Sequence, residues 1–126
     1  MKPRPAVDVL IVDDDEGTRA SLDALLGDGG YRVATAANGC DALRHLRLHH
    51  PPKVILLDLM MPVMDGWEFR SILRAEPRLA EVPIIAMTGV RTDRPTEARL
   101  GATWYVRKPF DPDRVLRLVA AICRAA

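Results

Sequence analysis

Five polar side chains stand close behind short apolar runs. They are Asp13 and Asp14 after Val7–Val12, Asp58 after Val54–Leu57, Thr88 after Ile84–Met87 and Lys108 after Thr103–Val106. Together their types suit phosphoryl transfer. Carboxylates crowded into one place repel one another, and an oxygen-seeking divalent ion such as Mg²⁺ relieves that repulsion. Phosphoryl transfer then needs positioning and charge neutralisation more than covalent help from the protein. A divalent ion and the Lys108 ammonium can neutralise charge, and Thr88 can donate a hydroxyl hydrogen bond to a phosphoryl oxygen. Asp58 is the natural nucleophile, since a carboxylate can form an acyl phosphate. Each residue alone has a plainer reading: Asp13–Glu16 as charge at a helix start, Asp58 as a strand end, Thr88 as a loop hydroxyl, Lys108 as a solvated cation. The signal lies in their joint placement on four strand ends.

Strand and helix alternate along the whole chain. Val7–Val12 reads as a buried parallel strand. Leu22, Leu25 and Leu26 recur at helical spacing, and that helix ends near Gly27, Gly29 and Gly30. Tyr31–Ala36 reads as a second strand. Asn38 caps a helix carrying Leu43 and Leu46, which stops before Pro51-Pro52. Val54–Leu57 is a third strand, and Gly66 opens a helix through Phe69, Ile72 and Leu73. Ile84–Met87 is a fourth strand, followed by a weak helical stretch around Thr96–Leu100 and a fifth strand at Thr103–Val106. Asp111-Pro112 starts a last helix, with Val115, Leu118, Val119 and Ile122 on one stripe. The pattern predicts a doubly wound α/β fold, a five-stranded parallel sheet covered on both faces with right-handed crossovers. Ligands of such sheets bind beyond the carboxyl ends of the strands, where all five polar residues converge.

At 126 residues the expectation is one domain over 1–126, with no output domain. A formal net charge of +1 gives no general attraction to nucleic acid or to anionic membrane. No run is long enough for a signal-peptide core or a membrane span, so a cytoplasmic location is expected. Cys40 and Cys123 lack paired spacing and read as free thiols. His45 and His49 stand four apart on a predicted helix and could share a metal, but no further ligand is near in sequence.

The sequence resembles the receiver domains of two-component response regulators, and it does so along essentially its whole length. The motifs that carry the resemblance are Val9-Leu10-Ile11-Val12-Asp13-Asp14-Asp15 and Leu56-Leu57-Asp58-Leu59-Met60-Met61-Pro62-Val63-Met64-Asp65-Gly66. Ile84-Ile85-Ala86-Met87-Thr88-Gly89 follows, then Gly101-Ala102-Thr103-Trp104-Tyr105-Val106-Arg107-Lys108-Pro109-Phe110. The resemblance implies a flavodoxin-like receiver fold with strand order 2-1-3-4-5, one of the two common orders of doubly wound sheets. It implies that Asp58 accepts phosphate from a histidine kinase or phosphotransfer protein, and that a downstream protein target reads the result. It implies that Asp14, Asp58 and the Met60 carbonyl ligate Mg²⁺ directly, with Asp13 acting through metal-bound water. Lys108 would pair with the phosphoryl group and form a cis peptide with Pro109. Gly89 would leave room for the donor, and Thr88 with Tyr105 would form a switch pair. The chain is then no conventional enzyme but a signalling receiver that assists its own phosphorylation and slow dephosphorylation.

Two departures bear on output. The interval from Thr88 to Lys108 is shorter than the resemblance leads one to expect, with the shortfall in Val90–Leu100. A short or irregular helix there argues for a monomer or weak dimer. Trp104 stands where a small polar residue is usual, either as a packed edge aromatic or as a partner contact. Met60 and Val90, which would flank an attacking water, are both apolar and predict slow phosphate loss. Other chemistries fit less well. A haloacid-dehalogenase-type phosphatase needs a second carboxylate at the position of Met60, an EF-hand loop lacks its alternating oxygen ligands, and a nucleotide binder lacks its phosphate loop. A degenerate receiver serving only as an interaction module would not need the complete set of site residues.

Overall fold

The computed structural model describes residues 7–89 and 100–125. The five strands are β1 (Val9–Val12), β2 (Val33–Ala36), β3 (Val54–Asp58), β4 (Ile84–Thr88) and β5 (Trp104–Arg107). The helices are α1 (Glu16–Asp28), α2 (Gly39–Leu48), α3 (Gly66–Ala75) and, last in the chain, α4 (Pro112–Ala125). All strand pairs are parallel, in the order β2-β1-β3-β4-β5. The expected sheet is therefore present. The helix expected around Thr96–Leu100 falls, apart from Leu100, outside the described residues, as does Val90.

Strand composition follows position in the sheet. The inner strands β1, β3 and β4 are buried at every residue. The edge strands β2 and β5 are partly open. One apolar cluster joins Leu10, Val12, Leu57 and Ala86 to Leu43, Leu46, Phe69 and Leu73 of α2 and α3. The other joins Ile11, Leu56 and Met87 to Leu22 and Leu26 of α1 and to Val115, Val119 and Ile122 of α4. Alternate residues of one strand thus feed opposite layers, which holds the strand ends level on one rim.

The helix starts are set by side chains. Asp15 accepts from the Thr18 amide at 2.8 Å, Asn38 from the Asp41 amide at 2.8 Å and Asp65 from the Glu68 amide at 2.9 Å, the N-cap arrangement that satisfies open helical donors. Strands β1 and β2 begin later than their apolar runs, at Val9 and Val33. Asp8 interrupts the ladder, since its carboxylate takes the Arg32 amide at 2.8 Å while its own amide donates to the Arg32 carbonyl at 2.8 Å. His45 and His49 are stacked with centroids 3.9 Å apart, and His49 Nδ1 lies 2.8 Å from the His45 carbonyl oxygen. Among the described residues they join no three-ligand group.

The loop from β3 to α3 is tightly constrained. A Cβ on Gly66 would lie 2.7 Å from Leu59 Cδ2 and 2.9 Å from Leu59 Cα, so only glycine lets α3 start this close to the end of β3. Three residues earlier Val63 has φ 70° and is 94% exposed. A β-branched residue in the left-handed region is strained, and here no packing of its side chain compensates. Val63→Gly should therefore raise stability by ~0.5–1 kcal/mol, the relief of strain less the added freedom of the unfolded chain. Urea denaturation checks this, and an unchanged or lower midpoint would contradict it.

Candidate functional site

The site is built from the ends of β1, β3, β4 and β5. Asp13 directly follows β1, where its amide still donates to the Ala36 carbonyl at 3.1 Å, and it is fully buried. Asp58 closes β3 and Thr88 closes β4, both almost completely buried. Lys108 follows β5, held in register by its amide donating to the Thr88 carbonyl at 2.8 Å. Its ammonium reaches Asp13 Oδ2 at 2.7 Å and Asp58 Oδ2 at 3.5 Å. Asp58 Oδ1 accepts from the Met60 amide at 3.1 Å. Asp14 is exposed, and one carboxylate oxygen from each of Asp13, Asp14 and Asp58 lies within 4.8 Å of the others. The structure thus gathers Asp13, Asp14, Asp58, Thr88 and Lys108 at one rim, with Met60 beside Asp58.

The electrostatics follow from this crowding. Burial pushes the Asp58 carboxyl up to about 6, and the Asp13 charge and an Asp14 hydrogen bond add to it. The Met60 amide and the Lys108 charge pull the other way without prevailing. Burial also works against the Lys108 ammonium, yet the Asp13 hydrogen bond and the charges of Asp58 and Asp13 together hold its pKa above the ordinary lysine value. Asp15 is different: its hydrogen bonds from Thr18 keep its carboxyl low, as suits a helix cap.

A hard divalent cation fits these residues. The donors are all oxygen, they converge within one ion's reach, and Asp58 binds its proton more tightly than an isolated carboxyl would, because it is buried and stands beside other acids. Asp13, Asp14 and Asp58 would hold the ion.

One surrounding feature also matches expectation. The Lys108-Pro109 peptide is cis. A Cβ on Gly89 would meet nothing within 4 Å, so space is open beside Thr88. Tyr105 is partly buried against the cluster under α2 and α3, whereas Trp104 is 44% exposed on the edge strand. Sequence reasoning missed Arg19. From the second turn of α1 its Nη1 donates to the Asp13 carbonyl at 2.8 Å. The only sequence signal was a long cation on the first helix, six residues beyond the buried acid.

Comparison with known proteins agrees with this geometry. The family profile described as response regulator receiver domain matches residues 9–120. Response regulator Rre1 of Synechocystis sp. is 37% identical over 116 residues, 90% of this chain and 50% of Rre1. The chain thus spans about half the length of that relative. The chemotaxis protein CheY4 of Vibrio cholerae superposes with a TM-score of 0.83 at 32% identity, covering 96% of this chain and 99% of that one. The receiver domain of a sensor histidine kinase from Pseudomonas aeruginosa PAO1 superposes with a TM-score of 0.82 at 28% identity, covering 97% and 98%. That protein carries a magnesium ion coordinated in its active site cleft.

The chain belongs to the response regulator receiver domain family. Receiver domains are signalling domains of two-component systems, generally phosphorylated on an aspartate. They interact with histidine kinases and downstream effectors and bind Mg²⁺ in an acidic pocket. Among the described residues no helix is long and apolar enough to cross a membrane.

The shared ammonium yields a prediction. Lys108→Met leaves the buried Asp13 and Asp58 facing each other without it. Breaking a fully buried pair costs roughly 3–5 kcal/mol, and the partial exposure of Lys108 reduces this to about 2 kcal/mol at pH 7 without divalent ions. Mg²⁺ should then stabilise the variant more than the wild type, because the cluster left behind is more anionic. Urea denaturation in EDTA and in Mg²⁺ measures both effects. Equal stability of the two proteins in EDTA would contradict the shared ion pair.

Proposed function

We propose that this protein is a phosphorylation-controlled switch whose phosphoacceptor is Asp58. An Asp58 oxygen attacks phosphorus, the P–N bond of a donor phosphohistidine breaks, and the leaving imidazole keeps the electron pair and takes up a proton. The donor is a histidine kinase or a phosphotransfer protein. Asp13, Asp14, Asp58 and the Met60 carbonyl hold Mg²⁺, which when bound supplies charge neutralisation at the phosphoryl oxygens. Lys108 swings its ammonium from the carboxylates to the incoming phosphoryl group, and Thr88 donates its hydroxyl to it. The observation that carries the reading is the Lys108 ammonium set between two buried carboxylates, 2.7 Å from Asp13 and 3.5 Å from Asp58.

The chain acts in this reading as a receiver domain in the cytoplasm, a monomer or weak dimer. A conformational change coupled through Thr88 and Tyr105 is read by a downstream protein at the Trp104 edge. Hydrolysis of the acyl phosphate is slow, since the apolar Met60 side chain cannot orient a water opposite the bond.

Acetyl phosphate with Mg²⁺ should add one phosphoryl group to the wild type and none to Asp58→Asn, as read by intact-protein mass spectrometry. Equal labelling of both proteins would place the acceptor elsewhere.

A further inference from the structure

Asp13 is fixed on every polar group it has. Its amide donates to the Ala36 carbonyl at 3.1 Å, its Oδ1 accepts from the Asp15 amide at 2.9 Å and its Oδ2 accepts from Lys108 at 2.7 Å. The remaining group is the Asp13 carbonyl. It lies past the last ladder residue of β1 and before α1. Arg19 Nη1 takes it at 2.8 Å, reaching back across the loop from α1.

That carbonyl belongs to the peptide that joins Asp13 to Asp14. A peptide unit is planar and stiff, so holding its oxygen also sets the direction of the Asp14 amide and the position of the Asp14 Cα. Asp14 is the exposed member of the carboxylate group, without the burial that fixes Asp13 and Asp58. Its placement therefore leans on its backbone, which Arg19 holds on one side at the Asp13 carbonyl and Asp13 Oδ1 holds on the other at the Asp15 amide. We infer that Arg19 is a positioning residue for the divalent cation, orienting the Asp13–Asp14 peptide so that the Asp14 carboxylate faces Asp58. The inference rests on the proposed binding of Mg²⁺ by this acidic group.

Charge and positioning make opposite predictions. Arg19 is a cation at the edge of an anionic loop, close enough for its charge to act on Asp15. By charge alone, removing it would make the loop more negative and tighten Mg²⁺ binding. By positioning, removing it frees the peptide, scatters Asp14 and weakens binding. The sign separates the two accounts.

Isothermal titration calorimetry with Mg²⁺ on the wild type, Arg19→Met, Arg19→Lys and Asp14→Asn provides the test. Melting temperatures in Mg²⁺ and in EDTA, taken on the same samples, give a second readout. Arg19→Met should bind Mg²⁺ about tenfold more weakly, the lower end of what loss of an orienting partner typically costs a metal site. Its Mg²⁺-dependent rise in melting temperature should shrink accordingly, whatever the melting temperature in EDTA. Arg19→Lys, which keeps a donor on a long stem, should regain most of the affinity. Should Arg19→Met not fold, Arg19→Gln, whose shorter amide does not span to the Asp13 carbonyl, carries the same expectation. Unchanged or tighter binding in the folded variant, with binding lost in Asp14→Asn, overturns the role of Arg19 and leaves the metal site standing. Absence of Mg²⁺ binding in the wild type overturns both.

Discussion

Two buried carboxylates share one ammonium, and a third stands beside them. When Asp13, Asp14 and Asp58 are all ionised, Lys108 cancels one of three negative charges, and two of the three acids lie buried. Taking a carboxylate out of water costs several kcal/mol even after relaxation. An ion pair at about 4 Å returns about 4 kcal/mol at the effective dielectric of a protein. One lysine therefore comes close to balancing one acid and cannot balance all of them. The excess of two negative charges is what a divalent cation would cancel. A proton offsets part of it as well: burial first, then the neighbouring Asp13 and Asp14, push the Asp58 carboxyl up to about 6. Proton, ammonium and any divalent ion bound there would compete for the same oxygens.

The scaffold exists to enforce this crowding. Left to themselves the acids would separate into water, but each is attached to a strand whose apolar residues cannot leave the core. Val9–Val12, Val54–Leu57 and Ile84–Met87 are buried throughout, and their register brings Asp58 beside Met87 and Thr88 beside Arg107. The loops then complete what the strands begin. Arg19 takes the Asp13 carbonyl, Asp15 caps α1 while its amide holds the Asp13 side chain, and Gly66 lets α3 close over Leu59. The exposed, left-handed Val63 marks where the loop after Asp58 is forced into its path.

Most of the architecture was legible in the sequence because apolar runs and the polar residues behind them are local signals. Burial of a strand on both faces demands an unbroken run such as Val54–Leu57, and the point where it stops must lie at a rim. Capping by Asn38 was legible for the same reason, since the side chain acts only three residues away. What could not be read depends on reach across the fold. Asp8 fell within the run read as the first strand, yet its carboxylate takes an amide 24 residues away and delays β1 and β2. Arg19 looked like any exposed helical cation, because nothing in its neighbours reveals that its guanidinium turns back to a strand end. The positive φ of Val63 likewise contradicts its own preference.

If the acidic group is short of positive charge, a divalent cation that supplies it must displace the Asp58 proton. Carbon-detected NMR of the Asp58 carboxyl, titrated with pH in EDTA and again in saturating Mg²⁺, tests this most directly. The expected midpoint is about 6 without the ion, where burial and the neighbouring acids favour the protonated form. With Mg²⁺ the midpoint should move clearly downward, because the ion binds the charged carboxylate and disfavours its proton. A midpoint near the ordinary aspartate value of ~4 in EDTA, or one that ignores Mg²⁺, would contradict it.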